Sequence, residues 1–122
     1  MDITPVIPAG RQLIKGYGDH GFTISAVRWE GSVLVFPDRT LSWSVGDLSE
    51  VTEASLAPVV EAAPELLLLG CGATLVPPSR ELRAFLRGAG VKLEVMDTGA
   101  ACRTFNVLLA EDRRVAAALI AV

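Results

Sequence analysis

Leu66-Leu67-Leu68-Leu69-Gly70-Cys71-Gly72 is the stretch on which the fold of this chain turns. Four leucines between Pro64 and Gly70 are too short a run for a helix and show no polar alternation, which fits a strand buried on both faces. A strand of that kind belongs in a sheet with helices on both sides, and the chain around it supplies them. Toward the C-terminus, Pro78 and Ser79 open a helix through Leu82, Phe85 and Leu86 that Gly88 or Gly90 closes. Residues 91–95 are the next strand. Thr98 is read as the cap of a third helix with Ala101, Phe105, Leu108 and Leu109 on one face, and residues 114–121 return as the last strand.

Toward the N-terminus, Ser55 is expected to cap a helix carrying Leu56, Val59, Val60 and Ala63, with Pro58 tolerated in its first turn and Pro64 ending it. Residues 41–45 alternate and read as a short extended piece. Further back, residues 22–26 and 33–36 read as the arms of a hairpin turned at Glu30 and Gly31, with Gly16, Gly18 and Gly21 marking a loop before it. The expected fold class is α/β: a three-layer domain with a mixed, mostly parallel central sheet, a β-α-β-α-β C-terminal part and an N-terminal β-hairpin region. The hairpin must add to the sheet's edge or pack over one side. With 122 residues, residues 1–122 are expected to form one domain.

Composition narrows the function classes. Hydrophobic residues are 51% and charged residues 20%, a globular balance, and the net charge of −3 gives no general attraction to phosphate backbones. No nucleic-acid partner is expected. Residues 40–79 hold Asp47, Glu50, Glu53, Glu61 and Glu65 and no Lys or Arg, which reads as a solvated acidic face or as a surface for a basic partner. Met1-Asp2-Ile3-Thr4-Pro5-Val6 lacks an export-signal pattern, and no run reaches the ~18 apolar residues of a membrane span. The expectation is a cytoplasmic protein that does not insert into a membrane. Two cysteines, Cys71 and Cys102, are too few for a disulfide scaffold and have no zinc-ligand spacing, so no metal and no cofactor is expected.

Chemistry, if present, belongs beyond the carboxyl ends of the strands. Two segments qualify there: Gly70, Cys71 and Gly72, whose glycines let backbone N–H groups approach a bound group, and Asp97, Thr98 and Gly99 at a helix N-terminus, with Arg103 and Asn106 further along. Together they form a candidate pocket for a small molecule or an anion, the alternative reading being a binding domain or an uncharacterised enzyme built on it. The plain alternative is a capped helix and a loop that satisfy their own backbone. Cys102, near the helix start, is expected to be the more acidic thiol. His20 is the only histidine and stands far off in sequence, so no catalytic set is read. Phe22, Trp29 and Trp43 either close the core or leave an exposed apolar patch for self-association or docking.

These residues carry a family resemblance. Tyr17-Gly18 with Gly21-Phe22, Gly31-Ser32-Val33-Leu34-Val35, Leu67 to Gly72, Pro77-Pro78 with Leu82-Arg83, and Met96-Asp97-Thr98-Gly99-Ala100-Ala101-Cys102-Arg103-Thr104-Phe105-Asn106 resemble a small single-domain family of unknown function. It includes bacterial and archaeal hypothetical proteins, a vertebrate adipogenesis-associated protein and a mitochondrial assembly factor for respiratory complex I. The Ala-rich third helix is most similar to the alphaproteobacterial branch. The resemblance implies a three-layer α/β fold and no established enzymatic activity. It also implies protein partners, complex I subunits or membrane-assembly factors among them, with peripheral membrane association and homo-oligomers both open. Cys71 stands where the family often has threonine, and Phe105 where it has tyrosine, so neither a thiol nor a phenol mechanism can be general to it.

Overall fold

The computed structural model describes residues 10–122, so the reading of Met1 to Val6 as lacking a leader lies outside the described residues. The Leu run forms an interior strand, labelled β6 (Leu66–Gly70), of a five-stranded sheet. The other strands of that sheet are β4 (Val33–Val35), β5 (Thr40–Ser42), β7 (Lys92–Met96) and β8 (Val115–Leu119), in the order β5-β4-β8-β6-β7. β6 pairs in parallel with both β7 and β8, whereas β4 runs antiparallel to β8 and to β5. The sheet is mixed with a parallel heart, as the sequence predicts.

Because β7 and β8 lie on opposite sides of β6, the crossovers into them run in opposite directions and place their helices on opposite faces. α2 (Arg80–Gly88) covers one face with Leu82 and Leu86, together with Val59 of α1 (Ala57–Ala62), Leu56, Trp43 and Phe36. α3 (Thr98–Ala110) covers the other with Ala101, Cys102, Phe105 and Leu109. Between these layers β8 reads Val-Ala-Ala-Ala-Leu and is wholly buried, its small side chains letting both helical layers approach closely.

The N-terminal region departs from the predicted hairpin. Residues 14–30 form their own three-stranded sheet: β1 (Ile14–Gly18), β2 (Gly21–Ile24) and β3 (Val27–Glu30), joined by two-residue turns at Asp19-His20 and Ser25-Ala26. All four turn residues have positive φ, between 45° and 72°, the geometry that matches strand twist in tight hairpins. None is glycine or asparagine, so the sequence hides the turns. Ser25 offsets the strain locally: its N–H donates to the Leu13 carbonyl at 2.8 Å, and its hydroxyl accepts from Leu13 N–H at 2.9 Å. Val33–Val35, expected as the second arm, belongs instead to the main sheet beside β8. The small sheet packs over the α3 side, where Ile14, Phe22 and Ile24 enter the same core as Phe105.

Smaller shifts have local causes. Asp97 rather than Thr98 caps α3, accepting from Ala100 N–H at 2.9 Å. Ser55 sits inside a 3-10 turn, Ala54–Leu56, where it exchanges hydrogen bonds with Thr52 in the manner of a capping box.

The aromatic residues close the two cores. Phe22 is fully buried and Trp43 is 5% exposed, on opposite faces of the main sheet, and Trp43 Nε1 donates to the Ser55 carbonyl at 3.1 Å. The apolar docking patch expected as one outcome for them is therefore not at Phe22 or Trp43. Trp43→Ala should lower stability by about 3–5 kcal/mol through the cavity and the orphaned Ser55 carbonyl, read as a lower midpoint in urea denaturation.

Candidate functional site

The carboxyl ends of β6, β7 and β8 meet where α3 begins, and the backbone there is tightly laced. Cys71 N–H donates to the Met96 carbonyl at 2.9 Å, Thr98 N–H to the Gly72 carbonyl at 2.9 Å, and Ile120 N–H to the Gly70 carbonyl at 2.9 Å. Thr98 is fully buried, and its hydroxyl donates to the Ile120 carbonyl at 2.7 Å while accepting from Gly72 N–H at 3.0 Å. One side chain thus ties together the end of β6, the start of α3 and the residue after β8. The approach at Gly70 is close, since a Cβ there would lie 3.0 Å from Thr98 Cα and 3.0 Å from Leu119 Cδ2, so a larger residue requires its neighbours to give by a few tenths of an ångström.

The candidate residues are accordingly gathered in two groups. Gly70, Cys71, Gly72, Asp97, Thr98 and Gly99 converge at the strand ends. Cys71 Sγ lies 3.1 Å from the Met96 carbonyl and 3.3 Å from that of Thr74, and accepts from Val76 N–H at 3.1 Å, so the thiol organises its own loop. Gly99 is covered by the Tyr17 phenol, which occupies the space a Cβ would need, with Arg103 Nη1 beside it. Asn106, two turns along α3, faces β1 instead. Its Oδ1 accepts from Ile14 N–H at 3.0 Å and its Nδ2 donates to the Ile14 carbonyl at 2.8 Å, as a neighbouring strand would. Among the candidate side chains Arg103 alone is exposed and makes no hydrogen bond to another described residue.

Electrostatics corrects the thiol expectation. Cys102 is the fifth residue of α3, beyond the first turn, where dipole stabilisation has faded. Burial pushes its thiol up from 9.0 to about 12, with the nearby Arg103 charge opposing that shift. Among the described residues no group of three or more His, Cys, Asp or Glu side chains is placed to hold a metal ion.

With this geometry in place, comparison with known proteins is informative. A family described as protein of unknown function (DUF498/DUF598) matches residues 14–120. The chain belongs to that family. It is 35% identical over 113 residues to the Drosophila melanogaster NADH dehydrogenase [ubiquinone] 1 alpha subcomplex assembly factor 3, a match spanning 88% of this chain and 58% of that one. Thus the chain spans only about three-fifths of the curated relative's length. An uncharacterized protein of Rhodobacter capsulatus is 36% identical over 112 residues, spanning 92% of this chain and 86% of its own.

Among solved structures, one described as an outer membrane protein from Bartonella henselae superposes with a TM-score of 0.86 at 39% identity, covering 96% of this chain and 99% of that one. A Bordetella pertussis protein described as a Mth938-like domain gives 0.82 at 28% identity, covering 98% and 92%. Among the described residues of this chain no helix is long and apolar enough to cross a membrane.

Two outcomes test the site as built. Thr98→Val leaves the Ile120 carbonyl and Gly72 N–H without their partner and should cost about 1–3 kcal/mol in chemical denaturation. Iodoacetamide should leave Cys102 unlabelled in the native protein from pH 7 to 9 and label it once urea unfolds the chain, because the native thiol ionises only near 12.

Proposed function

We propose that this protein is a non-enzymatic interaction and assembly module in respiratory complex I biogenesis, working from the cytoplasm at the membrane face without inserting. The observation that carries this reading is the match of 88% of the chain to a complex I assembly factor at 35% identity. The strand ends support it from another direction. The hydroxyl of Thr98, the amide of Asn106 and the carboxylate of Asp97 are all spent on backbone groups of the fold. The partners proposed are complex I subunits or membrane-assembly proteins, reached by peripheral association.

A small-molecule or anion site between residues 70–72 and the start of α3 is the second reading. It is favoured by Arg103, exposed beside Gly99 near the helix N-terminus. Thermal shift with nucleotides, sugar phosphates and short carboxylates tests it, since saturation at ~100 Kd would add about 2.7 kcal/mol.

For the assembly reading, the decisive experiment is deletion of the gene in its own organism, with complex I measured by native gel and NADH oxidation in isolated membranes. The expected outcome is a reduced amount of mature complex I, restored by a tagged copy that co-purifies a complex I subunit or assembly protein. Normal complex I in the deletion strain together with no such co-purification would overturn it.

A further inference from the structure

Residues 73–77, Ala-Thr-Leu-Val-Pro, are exposed one after another in the loop that runs from β6 toward α2, and all but Thr74 are apolar. Leu75 is 65% exposed and Val76 44%. The loop is pinned at its base, with Val76 N–H donating to Cys71 Sγ at 3.1 Å and Pro78 buried, so its aliphatic side chains are displayed on the surface. Single apolar residues on a surface are ordinary, whereas a run of them marks a contact.

A charged stripe follows directly. α2 buries Leu82 and Leu86 and leaves Arg80, Arg83, Ala84 and Arg87 exposed, at the i, i+3, i+4, i+7 spacing of one helix face. None of the three arginines has an ion-pair partner among the described residues, whose ion pairs involve Arg11, Arg28, Arg39 and Arg113. Leu75, Pro77 and Arg83 line one surface hollow, so the loop and the stripe are continuous. Lys92 and Glu94 stand apart from the stripe. Leu93 and Val95 take the α2 side of β7, and strand alternation turns Lys92 and Glu94 to the α3 side.

The acidic residues of the same layer lie away from α2. α2 packs on β7. By contrast, Ala62 at the end of α1 lines a hollow with Phe36 and Val115, and Ser55 bonds to Trp43 just beyond β5. Glu53 and Glu61, both exposed, therefore belong to the β4 and β5 side. The layer is basic at one side and acidic at the other.

We propose that residues 73–77 and the outward face of α2 form the surface by which this protein docks on a bilayer containing anionic lipid. Arg80, Arg83 and Arg87 meet lipid phosphates, and Leu75 and Val76 enter the headgroup layer. The acidic side of the layer is repelled by the anionic surface and tilts away from it, which sets the orientation. Nucleic acid would meet the same arginines but has no use for Leu75 and Val76, because unpaired bases stack on aromatic rings and no exposed residue from Ala73 to Arg87 is aromatic. The proposal rests on the reading above that the protein works at a membrane face, and it names the face that makes the contact.

Co-sedimentation tests it with vesicles of phosphatidylcholine alone and of phosphatidylcholine mixed with phosphatidylglycerol. The protein should bind the mixed vesicles at least tenfold more tightly than the neutral ones. That preference should vanish as salt approaches 1 M, where the screening length falls to about 3 Å. Arg83→Glu with Arg87→Glu should weaken binding to mixed vesicles more than tenfold, and Leu75→Ser with Val76→Ser at least threefold. Lys15→Glu, a charge reversal at an exposed position on β1, should change it less than twofold. Should a variant not fold, hydrogen exchange of the unmodified protein decides, with the Ala73 to Leu75 amides slowed at least fivefold by mixed vesicles and not by neutral ones. No binding, equal binding to both vesicles, protection elsewhere, or binding of a polyglutamate peptide or an oligonucleotide in preference to the mixed vesicles would overturn the proposal. A complex I defect on deletion without vesicle binding refutes this surface alone, and vesicle binding without such a defect refutes the assembly reading alone.

Discussion

The buried hydroxyl of Thr98 is the contact through which the two crossovers of this fold are locked. Strand β6 ends beside the first turn of α3, and the chain after β8 passes the same point. Three backbone segments meet there around the fully buried Thr98, and each brings polar groups that need partners. The hydroxyl serves two of them, the Ile120 carbonyl and Gly72 N–H. Each such bond is worth about 0.5–1.5 kcal/mol net, but leaving one unmade costs more, so the threonine acts mainly by preventing a penalty. Gly70 belongs to the same arrangement, because a Cβ there would press on Thr98 at the start of α3.

From that fixed start α3 couples the two sheets. Its Phe105 is buried between the main sheet and the β1-β2-β3 sheet, and its Asn106 amide takes the place of a neighbouring strand along β1. An exposed edge of the small sheet is thereby closed by a side chain instead of a strand. α3 is thus engaged along its length in holding layers together. The polar residue types that suggest binding chemistry in a one-dimensional reading are the same types that satisfy buried backbone, and only their partners tell the two apart.

The edges of the molecule are treated unequally. Asn106 takes up both main-chain groups of Ile14 in β1, whereas β7 pairs with no described residue on its outer side, where Lys92 and Glu94 alternate with Leu93 and Val95. Charged residues on an edge discourage indiscriminate pairing, and they also select a partner whose charges complement them.

The sequence by itself determined the parallel heart of the fold. The Leu run could only be a doubly buried strand, Ser79 capped α2, and the apolar spacing of α3 was legible because helix and strand periods act over a few residues. The family resemblance, too, rested on blocks that survive as linear text. What the tertiary structure alone decided were matters of partner choice. The tight turns at Asp19-His20 and Ser25-Ala26 carry no glycine signal and are held by distant groups, with His20 N–H donating to the Val122 carbonyl. Trp43 and Phe22, close in sequence, went to opposite faces because β4 between them joined the main sheet. Burial holds the Cys102 thiol in its protonated form despite its place near a helix start, and burial, like the fate of Thr98 and Asn106, depends on what packs across from a residue, which no local pattern encodes.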